Sequence, residues 1–205
     1  MHPDVFRSFD RICRAQGATG HVLEIGARPS PDTLLCLPAL GGATQRVGID
    51  LDGPHQWNGI GILAGNANCM PMFADASFDA VLCNAVLEHD PQFWRTLGEI
   101  GRVLKPGGLF VVGVPGYGAM GLTPFRRLIA LLRYCPGFAR GMGLLRVSSA
   151  TLGLHDFPGD YYRFSKQAVT EVFLAGYERI EAISLLMPPR FIGWGRKPAV
   201  IRPRL

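Results

Sequence analysis

The stretch from Ser77 to Pro115 constrains the fold more than any other part of the sequence. It opens with the apolar run SFDAVLCNAV and closes with the apolar run LFVVGVP. Between them, apolar residues recur at spacings of four, three and four: Phe93, Leu97, Ile100 and Leu104. Such runs predict buried strands, and the spacing between them predicts an amphipathic helix. A strand, a helix and a second strand in succession favour a parallel crossover, with helices on both faces of the sheet.

The ends of this helix also carry signals. Asp90 is a good N-cap, and Pro91 suits the first helical position because its missing N–H would be unpaired there anyway. Lys105 favours the negative end of the helix dipole, and the PGG triplet that follows it stops the helix. We therefore expect the helix to run from Pro91 to about Lys105.

The N-terminal part of the chain repeats the alternation. The spacing of apolar residues predicts a helix from Pro3 to about Ala15, which we expect to cover an edge of the sheet. The runs HVLEIG and RVGIDLD predict two buried strands, with a helix from Asp32 to Leu40 between them, closed by a Gly-Gly pair. The next stretch, GPHQWNGIGILAGNANCMPM, leaves room for a short helix at most.

The C-terminal part predicts a helix from about Lys166 to Ala175, a strand at RIEAISLLM, and an antiparallel edge strand at FIGWGRKPAVIRP. The predicted fold class is therefore α/β, with a mostly parallel sheet, helices on both faces and an antiparallel edge strand. A chain of 205 residues is long enough for one domain, so residues 1–205 are interpreted as a single domain. Residues 116–164 break the rhythm and are interpreted as an insertion or lid.

The apolar segments, the cysteines and the charged residues limit the classes of function that this chain can have. The apolar runs are too short to cross a bilayer and the charged N-terminal stretch lacks an apolar signal core, so we expect a cytoplasmic protein. The five cysteines are scattered without a CxxC pair, which indicates reduced thiols and no metal site. The formal net charge is +5, and no acidic residue stands between Glu99 and Asp156. This basic region can attract acidic substrates, a membrane surface or nucleic acid.

Ligands of open α/β sheets bind at the carboxyl ends of the strands, so the residues after each strand point to the ligand. An acid that ends the second strand, here Asp50, is the usual partner of a ribose diol. A dinucleotide would also need a GxGxxG loop for its pyrophosphate, and after Gly26 this chain has Arg28 and Ser30 instead. A ligand with a ribose, an adenine and an ammonium group but no phosphate accounts for both facts. S-adenosylmethionine (SAM) is such a ligand.

Four segments in order, VLEIG, GIDLD, NANCMPMFADASFDAVLCNAVLEH and LGEIGRVLKPGGLFVVGVP, together resemble the class I SAM-dependent methyltransferases. The resemblance covers residues 20–115 and implies a Rossmann-like methyltransferase fold. The segments HDFPGDYYRF and GWGRKP further resemble a branch of this family found with polysaccharide and secondary-metabolite biosynthesis. That branch often has GSR-like motifs after the first strand, which is consistent with Arg28.

Carried over by position, the resemblance implies a set of cofactor contacts. Glu24 and Gly26 would face the methionine end of SAM, with Arg28 as a partner for its carboxylate. Asp50 would bind the ribose. Asn66 stands where the family usually has Asp at the adenine amine, and an Asn carbonyl can still accept that hydrogen bond. The backbone amide of Ala67 would face the adenine ring, and Asn84 would face the methionine part.

The sequence signals for the acceptor pocket are less specific than those for the cofactor site. His155, beside Asp156 in a polar and aromatic cluster, is the candidate general base for a hydroxyl acceptor. The candidate acceptor pocket consists of His89, Tyr117, Asp160, Tyr161 and Arg163. The alternative is structural: His155, Asp160 and Arg163 pin the lid by hydrogen bonds, and His89 is a helix-entry residue.

The sequence thus predicts an enzyme that moves a methyl group from SAM to a small-molecule or sugar-containing acceptor, at oxygen. The acceptor could be glycan- or lipid-linked and acidic, and the basic region allows peripheral contact with a membrane. An alternative is a methyltransferase-like binding or scaffold protein without catalysis, which Arg28 and Ser30 motivate. Nucleic-acid methylation is disfavoured because the chain has neither an NPPY-like tetrad nor a separate nucleic-acid-binding module.

Overall fold

A computed structural model describes residues 1–116, 159–186 and 189–199 of the chain. Its central feature is a sheet of eight strands. The strands are β1 (Gly20–Ile25), β2 (Ala43–Asp50), β3 (His55–Trp57), β4 (Ile60–Ala64), β5 (Phe78–Asn84), β6 (Leu104–Pro115), β7 (Glu178–Leu186) and β8 (Pro189–Arg196). Most of the predicted insertion, residues 117–158, lies outside the described residues.

The strands are arranged in the order β3-β4-β2-β1-β5-β6-β8-β7. The five central strands, from β4 to β6, pair in parallel, whereas β3, β8 and β7 pair antiparallel with their neighbours. The predicted fold class is confirmed. The position of the last strand was wrong, because β8 lies between β6 and β7 and the edge belongs to β7. Both of these final strands are antiparallel, and periodicity alone does not say which of them pairs with β6.

Helices flank this sheet. Helix α1 spans Pro3–Ala15, helix α2 spans Phe93–Val103, and a short helix α3 (Lys166–Ala168) continues as a π-helical turn, Val169–Phe173. Three 3₁₀ turns complete the described structure: Leu34–Cys36, Pro38–Leu40 and Leu87–His89. None of the helices in the described ranges has the length and hydropathy of a membrane span.

Two apolar cores lie on opposite faces of the sheet. Val22, Ala80 and Leu82 belong to one core, whereas their strand neighbours Leu23 and Val81 belong to the other. Alternate side chains of a strand point to opposite faces, which separates the two sets. Helix α1 and two of the 3₁₀ turns cover the first face, and α2 with the π-helical turn covers the second.

Helix α1 has the predicted bounds but not the predicted place. Its buried residues Val5, Phe9 and Ile12 pack in the core that also contains side chains of β1, β5 and β6: Val22, Leu82 and Val111. The helix therefore covers a face of the central strands, not an edge. The periodicity identified the apolar side of the helix, but it carries no information on which strands receive that side.

The helix predicted over residues 32–40 is wrong. Two 3₁₀ turns stand in its place, separated by Leu37 in an extended conformation with ψ of 129°. Leu37 precedes Pro38, and the proline ring disfavours the helical conformation in the residue before it. In addition, the backbone N–H groups of Leu34 and Leu35 donate to the Glu24 carboxylate.

Helix α2 is shorter at both ends than predicted. Asp90 accepts hydrogen bonds from the backbone N–H of Gln92 and the hydroxyl of Thr96, both at 2.8 Å, so it caps a turn that precedes the helix. At the other end, Leu104 already begins β6. Lys105 therefore lies in the strand, where its Nζ atom is 2.8 Å from the carboxylate of Asp79.

The stretch after β2 forms a hairpin of β3 and β4, and no helix is present in it. Its turn residues Asn58 and Gly59 have φ angles of 48° and 77°. Asn-Gly is the preferred pair for this kind of tight hairpin turn, because both central residues need positive φ. The Asn58-Gly59 pair within the segment WNGI is therefore a sequence signal for a hairpin. The hairpin brings His55 close to the end of β2.

Candidate functional site

The predicted ligand residues lie at the carboxyl ends of four adjacent strands. Asp50 ends β2 and Asn84 ends β5, and both strands pair with β1, which contains Glu24. Asn66 follows β4, the other neighbour of β2. From β1 the chain continues first to β2 and β4 on one side, and later to β5 on the other. Such a switch point opens a crevice at the carboxyl end of the sheet, where ligands of open α/β folds bind.

The carboxylate of Glu24 is buried against the loop that follows β1. It accepts hydrogen bonds from the hydroxyl of Thr33 and from the backbone N–H groups of Leu34 and Leu35, the latter two at 3.2 Å. Burial raises the pKa of Glu24 to about 7, although the three hydrogen bonds act in the opposite direction. In this structure Glu24 shapes the loop, and its predicted contact with a ligand ammonium stays a prediction.

Gly26 is required by both backbone conformation and space. Its φ is +74°, and a Cβ atom there would lie 2.3 Å from Cγ2 of Val86. Its N–H donates to the carbonyl of Ile49 at 2.8 Å, and so does that of Ala27 at 3.1 Å. The loop is therefore tied to the end of β2, and the first residues after β1 are held beside Asp50.

A cavity of about 470 Å³ lies beside this loop. Ligand pockets of proteins commonly measure about 300–1,000 Å³. The residues that line the cavity come from the loop after β1 and from the end of β2 onward: Ala27, Arg28, Pro29, Ser30, Asp50, Asp52 and His55. The structure thus brings the predicted residues Arg28 and Asp50 together. It adds His55, whose place depends on the hairpin.

The carboxylate of Asp50 keeps acceptor capacity for a ligand. One of its oxygens accepts a hydrogen bond from the backbone N–H of Asp52 at 2.9 Å. An ionised carboxylate has about four acceptor sites, so most remain available toward the cavity. Asp50 is half-buried, which weakens competition from water. A pair of vicinal hydroxyl donors matches this arrangement.

Asn66 and Ala67 lie in a tight loop after β4. The side-chain oxygen of Asn66 accepts from the backbone N–H of Asn68 at 2.9 Å, and the backbone carbonyl of Asn66 accepts from Cys69 at 3.0 Å. The first contact fixes the Asn66 amide, whose oxygen has one further lone pair. Ala67 is half-buried against the core that contains Met70. Their predicted adenine contacts stay predictions.

Asn84 is part of a cluster that also contains Arg190 and Glu88. The Arg190 guanidinium donates to the side-chain oxygen of Asn84 at 3.0 Å and lies 3.4 Å from the carboxylate of Glu88. Burial lowers the pKa of Arg190 and raises that of Glu88. Oε2 of Glu88 is buried and has no hydrogen-bond partner among the described residues.

Four of the predicted acceptor residues come together next to this cluster. The Nδ1 atom of His89 lies 3.3 Å from the carbonyl of Gly159, and the backbone N–H of Tyr161 donates to the carbonyl of Glu88 at 2.8 Å. Asp160 and Arg163 form an ion pair at 2.5 Å. The Tyr161 side chain is 58% exposed. The predicted residues Tyr117 and His155 lie outside the described residues.

Sequence reasoning missed Arg190 and His55. Arg190 belongs to no recognisable sequence motif. Only the pairing of β8 with β6 places it near Asn84. Only the hairpin turn signal at Asn58 and Gly59 could have predicted that His55 lies beside the cavity. In the residues that the structure describes, no group of three or more His, Cys, Asp or Glu side chains could hold a metal ion.

The sequence of the chain is similar to known methyltransferases. Residues 38–112 match the family model described as a methyltransferase domain. A curated relative, the ubiquinone/menaquinone biosynthesis C-methyltransferase UbiE of Methylobacterium nodulans, is 32% identical over 126 residues, which are 57% of this chain and 48% of the relative. The chain therefore spans about half the length of this relative. The family resemblance of the sequence motifs is confirmed.

Several solved structures with a similar fold are methyltransferases. The 1,6-didemethyltoxoflavin N1-methyltransferase of Burkholderia thailandensis, solved with S-adenosylhomocysteine, has a TM-score of 0.63 at 19% identity and covers 95% of this chain and 78% of its own. The N-methyltransferase NodS of Bradyrhizobium japonicum, solved with the same compound, has a TM-score of 0.59 at 16% identity and covers 95% of this chain and 86% of its own. At these identities the likeness concerns the fold.

Proposed function

We propose that this chain, which has the fold of the class I SAM-dependent methyltransferases and matches their domain over residues 38–112, binds SAM and transfers its methyl group to a small-molecule or sugar-containing acceptor. The observation that carries the proposal is the half-buried carboxylate of Asp50, which lines a cavity of about 470 Å³ at the switch point of the sheet. Relatives with names that specify C- or N-methylation share the domain, so the family alone does not define the acceptor atom.

The residues present fit SAM. The Asp50 carboxylate has acceptor capacity for the two hydroxyls of a ribose. Arg28 lines the same cavity and can bind a carboxylate. The loop from Gly26 onward is held beside Asp50 and has no glycine-rich cradle for a pyrophosphate, which suits a ligand without phosphate.

Methyl transfer asks mainly for positioning from the protein. SAM supplies an activated methyl group on a sulfonium, so the residues of this chain contribute orientation and exclusion of water. Asp50 fixes the sugar, Asn66 and Ala67 face the adenine, and Asn84 faces the methionine part. Of the acceptor-side residues, His89, Asp160, Tyr161 and Arg163 lie beside the end of β5, and their polar groups suit a polar acceptor.

We place the methylated atom at oxygen, on the basis of the sequence. A hydroxyl acceptor must lose its proton as the methyl group is transferred, and His155 beside Asp156 is the candidate base. The acceptor is a small molecule or a glycan- or lipid-linked compound, and its acidity is supported by the basic stretch between Glu99 and Asp156. Product analysis by mass spectrometry and NMR, with His155→Ala compared at several pH values, tests this assignment.

Calorimetric titration with SAM and with S-adenosylhomocysteine tests the proposed cofactor. We expect both to bind, and Asp50→Ala to weaken both by about tenfold or more, because a charge-assisted pair of hydrogen bonds is lost. Glu171→Ala is the matched control, since Glu171 is an exposed carboxylate on the helix before β7. Absence of binding by the unsubstituted protein at millimolar ligand contradicts the proposal.

A binding or scaffold protein without catalysis is the second candidate. The exposed Arg28 favours it, because its guanidinium lines the cavity in which the cofactor would lie. Radiolabelled methyl transfer from SAM to any acceptor in a cell extract excludes this candidate. Binding of SAM without transfer to any acceptor favours it.

A further inference from the structure

The cluster of Asn84, Arg190 and Glu88 carries an inference that rests on the proposed function and adds to it. The three residues come from different parts of the chain: Asn84 from the end of β5, Arg190 from β8, and Glu88 from the 3₁₀ turn after β5. None of the three lines the cavity beside Asp50; Asn84 lies at the end of β5, on the other side of β1 from Asp50. Their contacts concern the orientation of Asn84.

The sheet register allows Arg190 to reach Asn84 across a strand. Asn84 pairs with Gly113 of β6, and on the other side of β6 Pro115 pairs with Arg190. A Cβ atom at Gly113 would lie only 2.5 Å from the side-chain oxygen of Asn84, the atom that Arg190 binds. The glycine therefore leaves the space in which the guanidinium and the amide meet.

This contact decides which end of the Asn84 amide faces the guanidinium. An arginine side chain has five N–H donors and no acceptor, so only the amide oxygen of Asn84 can form the 3.0 Å hydrogen bond. The Asn84 NH₂ group must then point away from Arg190. Among the described residues it has no hydrogen-bond partner, and it is not one of the fully buried polar atoms. The amide thus turns its oxygen toward Arg190 and its NH₂ donors away from it.

Glu88 holds the guanidinium in place. Its carboxylate lies 3.4 Å from Arg190, with both side chains largely buried, at 3% and 13% exposure. Asp160 and Arg163 pair with each other nearby. Their opposite charges largely cancel, so together they add little net charge near Arg190. A buried guanidinium fixed at one end by a carboxylate has little freedom to leave the amide oxygen at its other end.

We infer that Arg190 is a positioning residue, which binds the oxygen of Asn84 and so fixes the Asn84 NH₂ group as a donor to the carboxylate of the methionine part of SAM. The tail of SAM carries an ammonium and a carboxylate. A free Asn amide could bind either one, but here the positive guanidinium beside the amide oxygen disfavours an ammonium there, while the NH₂ group on the other side can donate to the carboxylate.

Asn84→Asp tests the inference directly. The substitution keeps an oxygen for Arg190 but replaces the NH₂ donors by a second, negatively charged oxygen. We expect S-adenosylhomocysteine to bind about tenfold or more weakly, since a charge-assisted bond becomes a repulsion. The control ligand is 5′-methylthioadenosine, which has the same nucleoside without the amino-acid tail, and its affinity should stay within about threefold. Equal or tighter binding of S-adenosylhomocysteine overturns the inference, because it would show an ammonium at Asn84.

A second set of variants isolates Arg190. Arg190→Met alone would leave Glu88 buried without its partner, so it is made together with Glu88→Gln and compared with Glu88→Gln alone. We expect the added Arg190→Met to weaken S-adenosylhomocysteine binding when Asn84 is present and to have no effect in an Asn84→Ala background. Arg190→Lys, which keeps one donor, should restore most of the affinity.

The outcomes separate this inference from the proposed function. If Arg190→Met weakens 5′-methylthioadenosine as much as S-adenosylhomocysteine, Arg190 supports the fold in general and the inference is wrong. A second outcome is that the unsubstituted protein binds S-adenosylhomocysteine, but Arg190→Met lowers this affinity equally with Asn84 present and in the Asn84→Ala background. In that case the inference fails and the proposed function stands. If the unsubstituted protein binds neither nucleoside, both fail.

Discussion

At the scale of single residues, Glu24 predicts a stability that depends on pH. Burial raises its pKa to about 7, above the value near 4.5 for a free side chain, so the folded state binds more protons between these values. The free energy of unfolding should therefore fall as pH rises from about 4.5 to 7, by up to about 3 kcal/mol. Glu24→Gln should lack this fall, although it is less stable throughout because a Gln amide cannot accept all three hydrogen bonds. Urea unfolding at a series of pH values measures the difference.

The comparison with Glu24→Gln separates Glu24 from other titrating groups. Every other carboxylate and histidine is shared by the two proteins, so only the difference between their pH profiles belongs to Glu24. A constant difference from pH 4.5 to 7.5 would mean that Glu24 titrates normally. In that case its carboxylate would be better hydrated than the structure shows.

Gly26→Ala predicts a large loss of stability for two separate reasons. The new Cβ atom would lie 2.3 Å from Val86, and the φ of +74° is unfavourable for any residue with a side chain. Together these effects should cost about 2 to 4 kcal/mol. Gly17→Ala is the control, because Gly17 has a φ of +63° and open space around it, and should cost only about 1 kcal/mol. Equal losses in urea unfolding would show that Val86 moves aside freely.

The site residues that sequence reasoning identified are those next to a readable strand end. Asp50 and Asn84 follow apolar runs that end abruptly, and in a parallel sheet such ends converge. Arg190 has no comparable signal. Its role depends on the gap at Gly113 and on the pairing of two antiparallel strands, which are relations between distant parts of the chain.

At the scale of elements, Arg102 ties the loop after β4 to helix α2. Its guanidinium donates to the backbone carbonyls of Met70 and Phe73 at 2.9 and 2.8 Å, and to the carboxylates of Asp75 and Glu99 at 2.7 Å. Arg102→Met should cost about 1 to 3 kcal/mol, a range that allows for its partial exposure to solvent. Urea unfolding measures this loss.

Arg95→Met is the matched control for Arg102, because Arg95 is an exposed arginine on the same helix. We expect it to change stability by less than about 0.5 kcal/mol. The loop held by Arg102 continues from Asn66, so Arg102→Met should also weaken S-adenosylhomocysteine. Similar stabilities of the two variants would contradict the anchoring role of Arg102.

Elements were predictable where one local pattern decided them. Helix α1 has the predicted bounds because its apolar residues recur at helical spacing along its whole length. The helix predicted over residues 32–40 was wrong because Leu37, which precedes Pro38, has an extended conformation that divides the segment into two turns. The hairpin of β3 and β4 was not predicted, although the Asn58-Gly59 pair is a sequence signal for its turn.

At the scale of the molecule, the sheet order explains why the parallel half was easier to predict than the antiparallel one. β1, β2, β5 and β6 pair in parallel, as the alternation of predicted strands and helices indicates. β7 and β8 both run antiparallel to their neighbours, and either could pair with β6. Gly193 and Gly195 of β8 leave room for the segment that precedes β7, because Cβ atoms there would lie 2.3 Å from Val169 and 3.0 Å from Tyr177.

Cofactor binding should stabilise the whole molecule, because the crevice joins loops from both sides of β1. A ligand at a hundred times its dissociation constant adds about 2.7 kcal/mol to the free energy of unfolding. For a domain of this size that corresponds to a rise of about 5 to 11 °C in melting temperature. Differential scanning calorimetry with S-adenosylhomocysteine measures the rise. At the same ligand concentration Asp50→Ala should reduce it by about half or more, whereas Glu171→Ala should retain it. An undiminished rise in Asp50→Ala would place the ligand away from the end of β2.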